Sequence, residues 1–349
     1  MFTLEKILLL KQIPMDVSWY IADLSEMKGK QELYTRQSPQ LLRTLRENSI
    51  IESAVSSNRI EGVTIDKSRI GTVLFGTPFL RDRDEEEVQG YRNALRLIHE
   101  NSVSIPISEE TICKLHALCR GDVWDAGAYK EKDSDIIQHF EDGSSRIRFK
   151  TVSAAETPAA MKKLVDLWHQ ILADHSYPPL IALAAFNFDF LCIHPFRDGN
   201  GRASRLLLLL LWYHLGFEVG RFISLERLIE EQKERYYETL AQSSAGWHEG
   251  THDPWPYIRF ILYILKTACK EFEQRVSSTK SPRGAKSDLI LASVEKHLGE
   301  FTISDIEKAC PGVSRDLIRI VLRNLQSQGA IACNGKGPAA RWKRRGNTP

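Results

Sequence analysis

No part of this 349-residue sequence is apolar for long enough to cross a bilayer as a helix. Its richest run, Leu206 to Leu211 followed by Trp212 and Tyr213, falls far below the roughly 20 residues of a span. At the N-terminus, Ile7 to Leu10 is bounded by Glu5, Lys6 and Lys11, too short a run for a secretory signal. No membrane partner is expected. Cysteine is sparse as well. The six, Cys113, Cys119, Cys192, Cys269, Cys310 and Cys333, lie far apart with no Cys-x-x-Cys, the usage of reduced core thiols in a cytoplasmic protein. Charge of one sign is not in excess, and a formal net charge of +2 says little about partners of the chain as a whole. The glycines at 199 and 201 lack the Lys-Ser/Thr that would make a Walker A loop. His248-Glu249-Gly250-Thr251-His252 has the His-Glu-x-x-His spacing. However, Gly250 within it and Asp253-Pro254 after it argue against the continuous helix such a zinc site needs.

What is present is a chain with 42% hydrophobic and 26% charged residues, the balance of a soluble globular protein with two or three domains. It is organised around His194-Pro195-Phe196-Arg197-Asp198-Gly199-Asn200-Gly201-Arg202-Ala203-Ser204-Arg205. Pro195 disfavours helix at His194, so the apolar helix before it should stop there. Gly199 and Gly201 allow positive φ and close approach of backbone to a ligand. The leucine run then starts a new helix, whose first N–H groups make an anion cradle. Arg202 and Arg205, three apart, are expected on one face, and two planar forks beside such a cradle suit a polyphosphate. Asp198 is placed to hold Mg²⁺ bridging phosphates, and His194 has the ordinary pKa of a general base near neutrality.

The stretch resembles the signature of the Fic family, His-x-Phe-x-Asp/Glu-Gly-Asn-Gly-Arg-x-x-Arg, at every specified position. The resemblance implies an adenylyltransferase that moves AMP from ATP, with Mg²⁺, to a Ser, Thr or Tyr hydroxyl of a target protein or of itself. It implies that His194 deprotonates the hydroxyl, that Asp198 holds the metal, and that Phe196 anchors the loop in the core. The nucleotide phosphates would lie on Gly199, Asn200, Gly201, Arg202, Ala203 and Ser204, with Arg205 on the outer phosphate. The Doc-like kinase branch differs at the second glycine and the following arginine, where it carries Lys.

Upstream, a helical pattern from about 31 to 60 ends at Ser57-Asn58-Arg59-Ile60-Glu61-Gly62, where Gly62 fits a C-terminal cap. Ser57, Glu61 and Gly62 resemble the Fic inhibitory motif, Ser/Thr-x-x-x-Glu-Gly/Asn. By that resemblance Glu61 pairs with Arg205 and blocks the productive ATP pose, as in class II members; by itself the segment reads as an ordinary helix end. Helices are expected near 84–101, 108–120, 157–174 and 179–193. Short strands at 135–139 and 146–149, joined by a turn at 141–145, resemble the family's β-hairpin flap for a target segment, or an edge strand that merely packs. Lys130 stands where the family usually has Arg after Gly-x-Tyr/Phe. Tyr236 and Tyr237 resemble adenine-side residues and read equally as a core pair.

Residues 1–34 are read as an N-terminal arm, 35–275 as a Fic core, 276–286 as a linker and 287–345 as a winged helix-turn-helix. From 283 onward twelve Lys/Arg face six Asp/Glu, a net +6 that leaves −4 upstream. Three amphipathic segments precede a ribbon from Ile331 to Lys343 with Asn334-Gly335 as its turn. Arg315, Arg319 and Arg323, then Arg341, Lys343, Arg344 and Arg345, suit DNA or a docked protein. The fold class expected is mainly α, a helical Fic core with a small flap and a C-terminal winged helix. Rival functions are a DNA-binding regulator whose core senses nucleotide, a transferase using another phosphate-containing donor, and removal of AMP. A homodimer is left open.

Overall fold

The computed structural model describes residues 2–9, 12–35, 39–76, 80–139, 144–174, 177–277, 287, 290, 291, 293, 294, 299–310, 313–335 and 340–344. The flap-turn residues 141–143, most of the expected linker (278–286), Leu289, Leu298 and Arg345 lie outside the described residues. The chain forms two compact units, Met1–Gln274 and Arg275–Pro349.

In the first unit the core is built on two apolar helices. α8 (Pro179–Ile193) is buried on every face from Leu180 to Ile193, and α9 (Asn200–His214) from Arg202 to Tyr213. A helix buried all round needs partners on all sides. α8 packs against α7 (Thr157–Ala173), α9 and α1 (Thr3–Leu9), and α9 also meets α5 (Arg83–Asn101) and α6 (Glu109–Arg120). Asp82 and Ser108 cap α5 and α6 by accepting from the Glu85 and Thr111 N–H groups.

The expected N-terminal arm is two helices, α1 and α2 (Met15–Thr35), and the helix expected from about 31 to 60 is confined to α3 (Pro39–Ile60). The periodicity missed α2 because its apolar residues are scattered; Met15, Trp19 and Leu33 remain exposed. α3 is seated largely by polar residues. Apart from Leu45, Ala54 and Ile60 its buried face is Ser49, Ser53, Ser56, Ser57 and Asn58. Ser53 Oγ donates to Glu226 Oε2 at 2.6 Å, and the same carboxylate accepts from Tyr91 at 2.9 Å. The helix that leads into Glu61 is thus held substantially by polar contacts. Past α4 (Ile70–Phe75), α5 and α6 comes an antiparallel pair, β1 (Ile136–His139) and β2 (Ser145–Phe149), with Ile137 opposite Ile147. The chain before and around Tyr236 forms two helices, α10 (Leu225–Glu231) and α11 (Lys233–Ser244), broken at Gln232; α12 (Trp255–Ser277) follows.

α1 is pinned by a carboxylate. Asp189 on α8, fully buried, accepts from the Thr3 and Leu4 N–H groups at 2.9 Å each and from Trp247 Nε1 at 2.8 Å. The anion satisfies open donors at a helix start, where the helix dipole also favours it. Asp189→Ala should lower stability by at least about 1–3 kcal/mol, the cost of a buried donor left without its acceptor. Urea unfolding checks it: the midpoint falls, with little change in slope. The His-Glu-x-x-His segment is a loop, as its glycine implies. His252 Nε2 meets Thr3 Oγ1 and His248 Nε2 meets the Lys150 carbonyl, and no metal-ligating cluster occurs among the described residues.

The second unit has α13 (Ile303–Ala309), α14 (Arg315–Ser327) and an antiparallel pair, β3 (Ile331–Asn334) and β4 (Arg341–Arg344), around Ile290, Val294, Phe301, Ile318, Leu322 and Trp342. Thr302 and Asp305 form a capping box on α13. The Asn334-Gly335 turn is corrected: Asn334 still pairs with Arg341, so the strands are joined by 335–340 and not by two residues.

Candidate active site

The turn between α8 and α9 is held in a conformation that its residues would not adopt alone. His194 is the one described non-glycine residue with positive φ (53°). Its N–H closes α8 on the Phe190 carbonyl, and Gly199, at φ 81°, opens α9. Asn200 braces the loop between them: its Oδ1 accepts from Phe196 N at 2.9 Å and its Nδ2 donates to Phe196 O at 2.7 Å. Phe196 is fully buried and stacks on the His116 ring at 3.7 Å. His116 Nδ1 accepts from Gly127 N at 2.9 Å, which leaves Nε2–H to donate to the Asp198 carbonyl at 2.8 Å. Burial pushes this imidazole down to about 4, so it stays neutral in that tautomer at pH 7. Lys130 clamps the other end, its N–H on the Pro195 carbonyl at 2.9 Å and its Nζ on Thr151 Oγ1 at 2.7 Å.

His194 borders a cavity of about 340 Å³ shared with Glu61, Ser134, Arg148, Gly201, Tyr236 and Tyr237. Its Nδ1 faces the Leu191 carbonyl at 3.3 Å, so Nδ1 carries the proton and Nε2 has the free lone pair. Burial, assisted by the Lys130 charge, pushes the imidazole down to about 4, and it is therefore a neutral base at pH 7. β2 is tied to the cavity wall by Arg148, whose Nη2 donates to the Tyr237 carbonyl at 2.6 Å. Tyr236 and Tyr237 both line the cavity, and Tyr236, 3% exposed, also packs among Tyr257 and Phe260.

Arg205 is buried, and its Nε and Nη2 donate to Ser57 Oγ and Ser57 O at 2.8 and 2.9 Å. Nη2 also meets Glu61 Oε1 at 2.8 Å, a single-pronged contact, with Ser57 supplying the remaining acceptors. Burial works against the charge of this guanidinium, but Glu61 outweighs it and raises its pKa. A Cβ placed on Gly201 would lie 2.1 Å from Glu61 Oε1, so glycine alone leaves room for this carboxylate against the first turn of α9. Gly62, at φ 87°, ends the segment. Ser57, Glu61, Gly201 and Arg205 therefore meet at one point.

Arg202 is not on that face. It is 2% exposed and its Nη1 donates to Glu87 Oε2 at 2.5 Å and to Asn58 Oδ1 at 3.2 Å. The i, i+3 spacing on α9 put it beside Arg205, but the buried carboxylate on α5 draws its fork inward. Ala203 and Ser204 are buried too, with Ser204 Oγ on the Gly201 carbonyl, so neither side chain faces the cavity. Asp198 is 60% exposed at its side chain. Its Oδ2 meets Arg120 Nη1 at 2.8 Å and its Oδ1 accepts from Gly199 N at 2.6 Å. Burial would raise its carboxyl, but Arg120 and Arg202 hold it below the ordinary value. Arg120, Glu87 and His116 are functional neighbours that sequence reasoning did not single out.

Residues 106–212 match the Fic/DOC family model. The chain is 26% identical over 286 residues to protein adenylyltransferase fic-1 of Caenorhabditis elegans, covering 79% of this chain and 51% of that protein. It is 22% identical over 287 residues to protein adenylyltransferase Fic of Drosophila melanogaster, covering 74% and 54%. The chain thus spans about half the length of these curated relatives. A solved Fic family protein from Desulfovibrio desulfuricans G20 superposes with a TM-score of 0.65 at 23% identity, covering 97% of this chain and 98% of that one. The solved Fic-1 fragment from C. elegans gives 0.60 at 21%, covering 76% of each. Both structural likenesses establish the mainly helical fold.

Proposed function

We infer that this chain, whose residues 106–212 form a Fic/DOC family domain, transfers AMP from ATP to a protein hydroxyl and is restrained by Glu61. The observation that carries the reading is the meeting of a neutral imidazole and Gly201 of the α9 start on one cavity, with the buried Arg205 guanidinium joined to it through the lining residue Glu61. Two buried polar atoms there, Arg205 Nη1 and Ser134 Oγ, have no hydrogen-bond partner among the described residues, which suits a polar ligand. In the mechanism, His194 Nε2 takes the proton of the acceptor hydroxyl, and the oxygen attacks the α-phosphorus. The bond from that phosphorus to the bridging oxygen breaks and pyrophosphate leaves. The N–H groups that open α9 and the Arg205 guanidinium stabilise phosphate charge, so catalysis is mostly positioning and electrostatics.

The residues present fit Mg²⁺. Asp198 is ionised, exposed and one loop from the phosphate cradle, and Mg²⁺ is commonly held by one or two carboxylates plus phosphate oxygens and water. When bound, the ion would neutralise phosphate charge. Asp198→Asn should raise the Mg²⁺ concentration for half-maximal ATP binding by at least about tenfold, ~1.4 kcal/mol. Fluorescent-nucleotide titration measures it, and an unchanged response would make Asp198 only a partner of Arg120.

Intact-mass analysis after incubation with Mg²⁺ and a nucleotide panel tests the reading as a whole. An added mass other than AMP would point to another phosphate-containing donor, and loss of AMP from a modified protein to the reverse reaction. In the second unit Arg315, Arg319 and Arg323 lie exposed along α14, but Arg315 meets Glu307 at 3.6 Å and Arg319 meets Asp316 at 2.9 Å. Two of the three charges are locally offset, which favours transfer over DNA binding as the leading function.

A further inference from the structure

The loop that carries Asp198 rests on a buried charge cluster which the transfer reading does not use. Its centre is Glu87, on α5 and 3% exposed. Glu87 Oε1 meets Arg120 Nη1 at 2.7 Å and Arg83 Nε at 3.1 Å, and Oε2 meets Arg202 Nη1 at 2.5 Å. Arg120 Nη1 also reaches Asp198 Oδ2 at 2.8 Å, and Arg202 Nη2 stands 4.0 Å from Asp198 Oδ1. Three guanidiniums thus face two carboxylates, Glu87 buried and Asp198 exposed. Arg120 and Arg202 are 5% and 2% exposed, so water cannot screen their charge well.

We propose that Glu87 is a positioning residue that keeps the Asp198 carboxylate available to a divalent cation by holding the arginines around it. The reason is competition for one anion. With Glu87 present, Arg202 points at Oε2 and stays at the edge of hydrogen-bond range from Asp198, and Arg120 is shared. Without that charge, all three guanidiniums have Asp198 as the nearest carboxylate of the cluster. Arg202 needs only to close from 4.0 Å to complete a second ion pair there. A cation would then have to displace guanidiniums from its own ligand. Glu87 also reaches the helix that leads into Glu61, because the Arg202 it holds donates to Asn58 Oδ1 on α3.

This proposal rests on the transfer reading, and its sign separates it from a merely structural role. Glu87→Gln keeps the shape and removes one negative charge. It should leave metal-free nucleotide affinity unchanged or tighter, since ATP meets a more positive site. It should raise the Mg²⁺ midpoint by roughly 10- to 100-fold, the usual range for losing a residue that orients a metal ligand. Glu87→Gln/Arg202→Gln removes the surplus cation as well and should bring the midpoint most of the way back. This double variant also keeps the test alive if the single variant folds poorly.

The measurement is binding of a fluorescent ATP analogue to the full chain carrying Glu61→Gly, titrated with Mg²⁺ and repeated in EDTA. An unchanged midpoint in Glu87→Gln overturns the proposal. So does a parallel loss of affinity with and without Mg²⁺, or a double variant no better than the single one. A parent chain that binds no nucleotide in either condition sinks the transfer reading itself, and this inference with it.

Discussion

His194→Ala is expected to lower AMP transfer by about 10²- to 10⁴-fold, the contribution of a positioned general base, while nucleotide binding changes little. In the proposed mechanism the imidazole acts on the proton of the acceptor hydroxyl and makes no charge contact that the phosphates need. Its neutral form is the working one, so the sign of the pH dependence follows. Activity is retained above the imidazole pKa in the folded protein and lost as pH falls through it. Because burial holds that value at about 4, the acid limb of kcat/KM should lie well below the ordinary 6.5 of a histidine. Single-turnover transfer with labelled ATP, followed from pH 4 to 8, measures both. Wild-type rates in the alanine variant, or an acid limb near 6.5 that persists in it, would remove His194 from the role of base.

The turn between α8 and α9 was legible because its chemistry is local. Pro195 stopping α8, the positive φ of Gly199 and the leucine run of α9 are near-neighbour effects; α5 and α6 follow from caps and apolar periodicity, α7 from periodicity after Pro158, and α8 from an unbroken apolar run between Pro179 and Pro195. What escaped was set by distant partners. Arg202 has the right spacing to join Arg205, yet Glu87, 115 residues away in sequence, turns it inward. One signal was available: Glu87 stands in the same buried stripe of α5 as Val88, Tyr91, Ala94 and Leu95, and a carboxylate there needs a cation. Arg120, at the end of α6, is that kind of partner. The polar seating of α3 escaped for a similar reason. Its serines look like surface residues until Glu226, from α10, supplies their acceptor. The short β3–β4 connection failed because Asn-Gly signals a turn without fixing which pair of residues closes it.

Glu61→Gly should raise the rate of auto-modification by roughly 10- to 150-fold. The Glu61 carboxylate lies against Gly201 and on Arg205 Nη2, where an outer phosphate would otherwise seek its cation and cradle. A hydrogen bond between charged groups is worth roughly 1.5–3 kcal/mol net, and about 1.4 kcal/mol corresponds to tenfold in rate. Glu61 is half-buried, so solvent screens the pair only in part. Glu61→Asp should give a smaller gain, because the shorter arm reaches Arg205 poorly. The fold should survive either change: Glu61 follows the last turn of α3, and Ser57 Oγ and O still hold Arg205 by two contacts. Arg205→Ala should not imitate activation, because it removes the group the phosphate would gain. Labelled ATP and three proteins decide it: the wild type, Glu61→Gly, and Glu61→Gly/His194→Ala. The double variant should fall back to background, which ties the gain to the same chemistry. Equal rates in the wild type and Glu61→Gly would mean that Ser57 to Gly62 is only a helix end, and that restraint of this enzyme, if any, lies elsewhere.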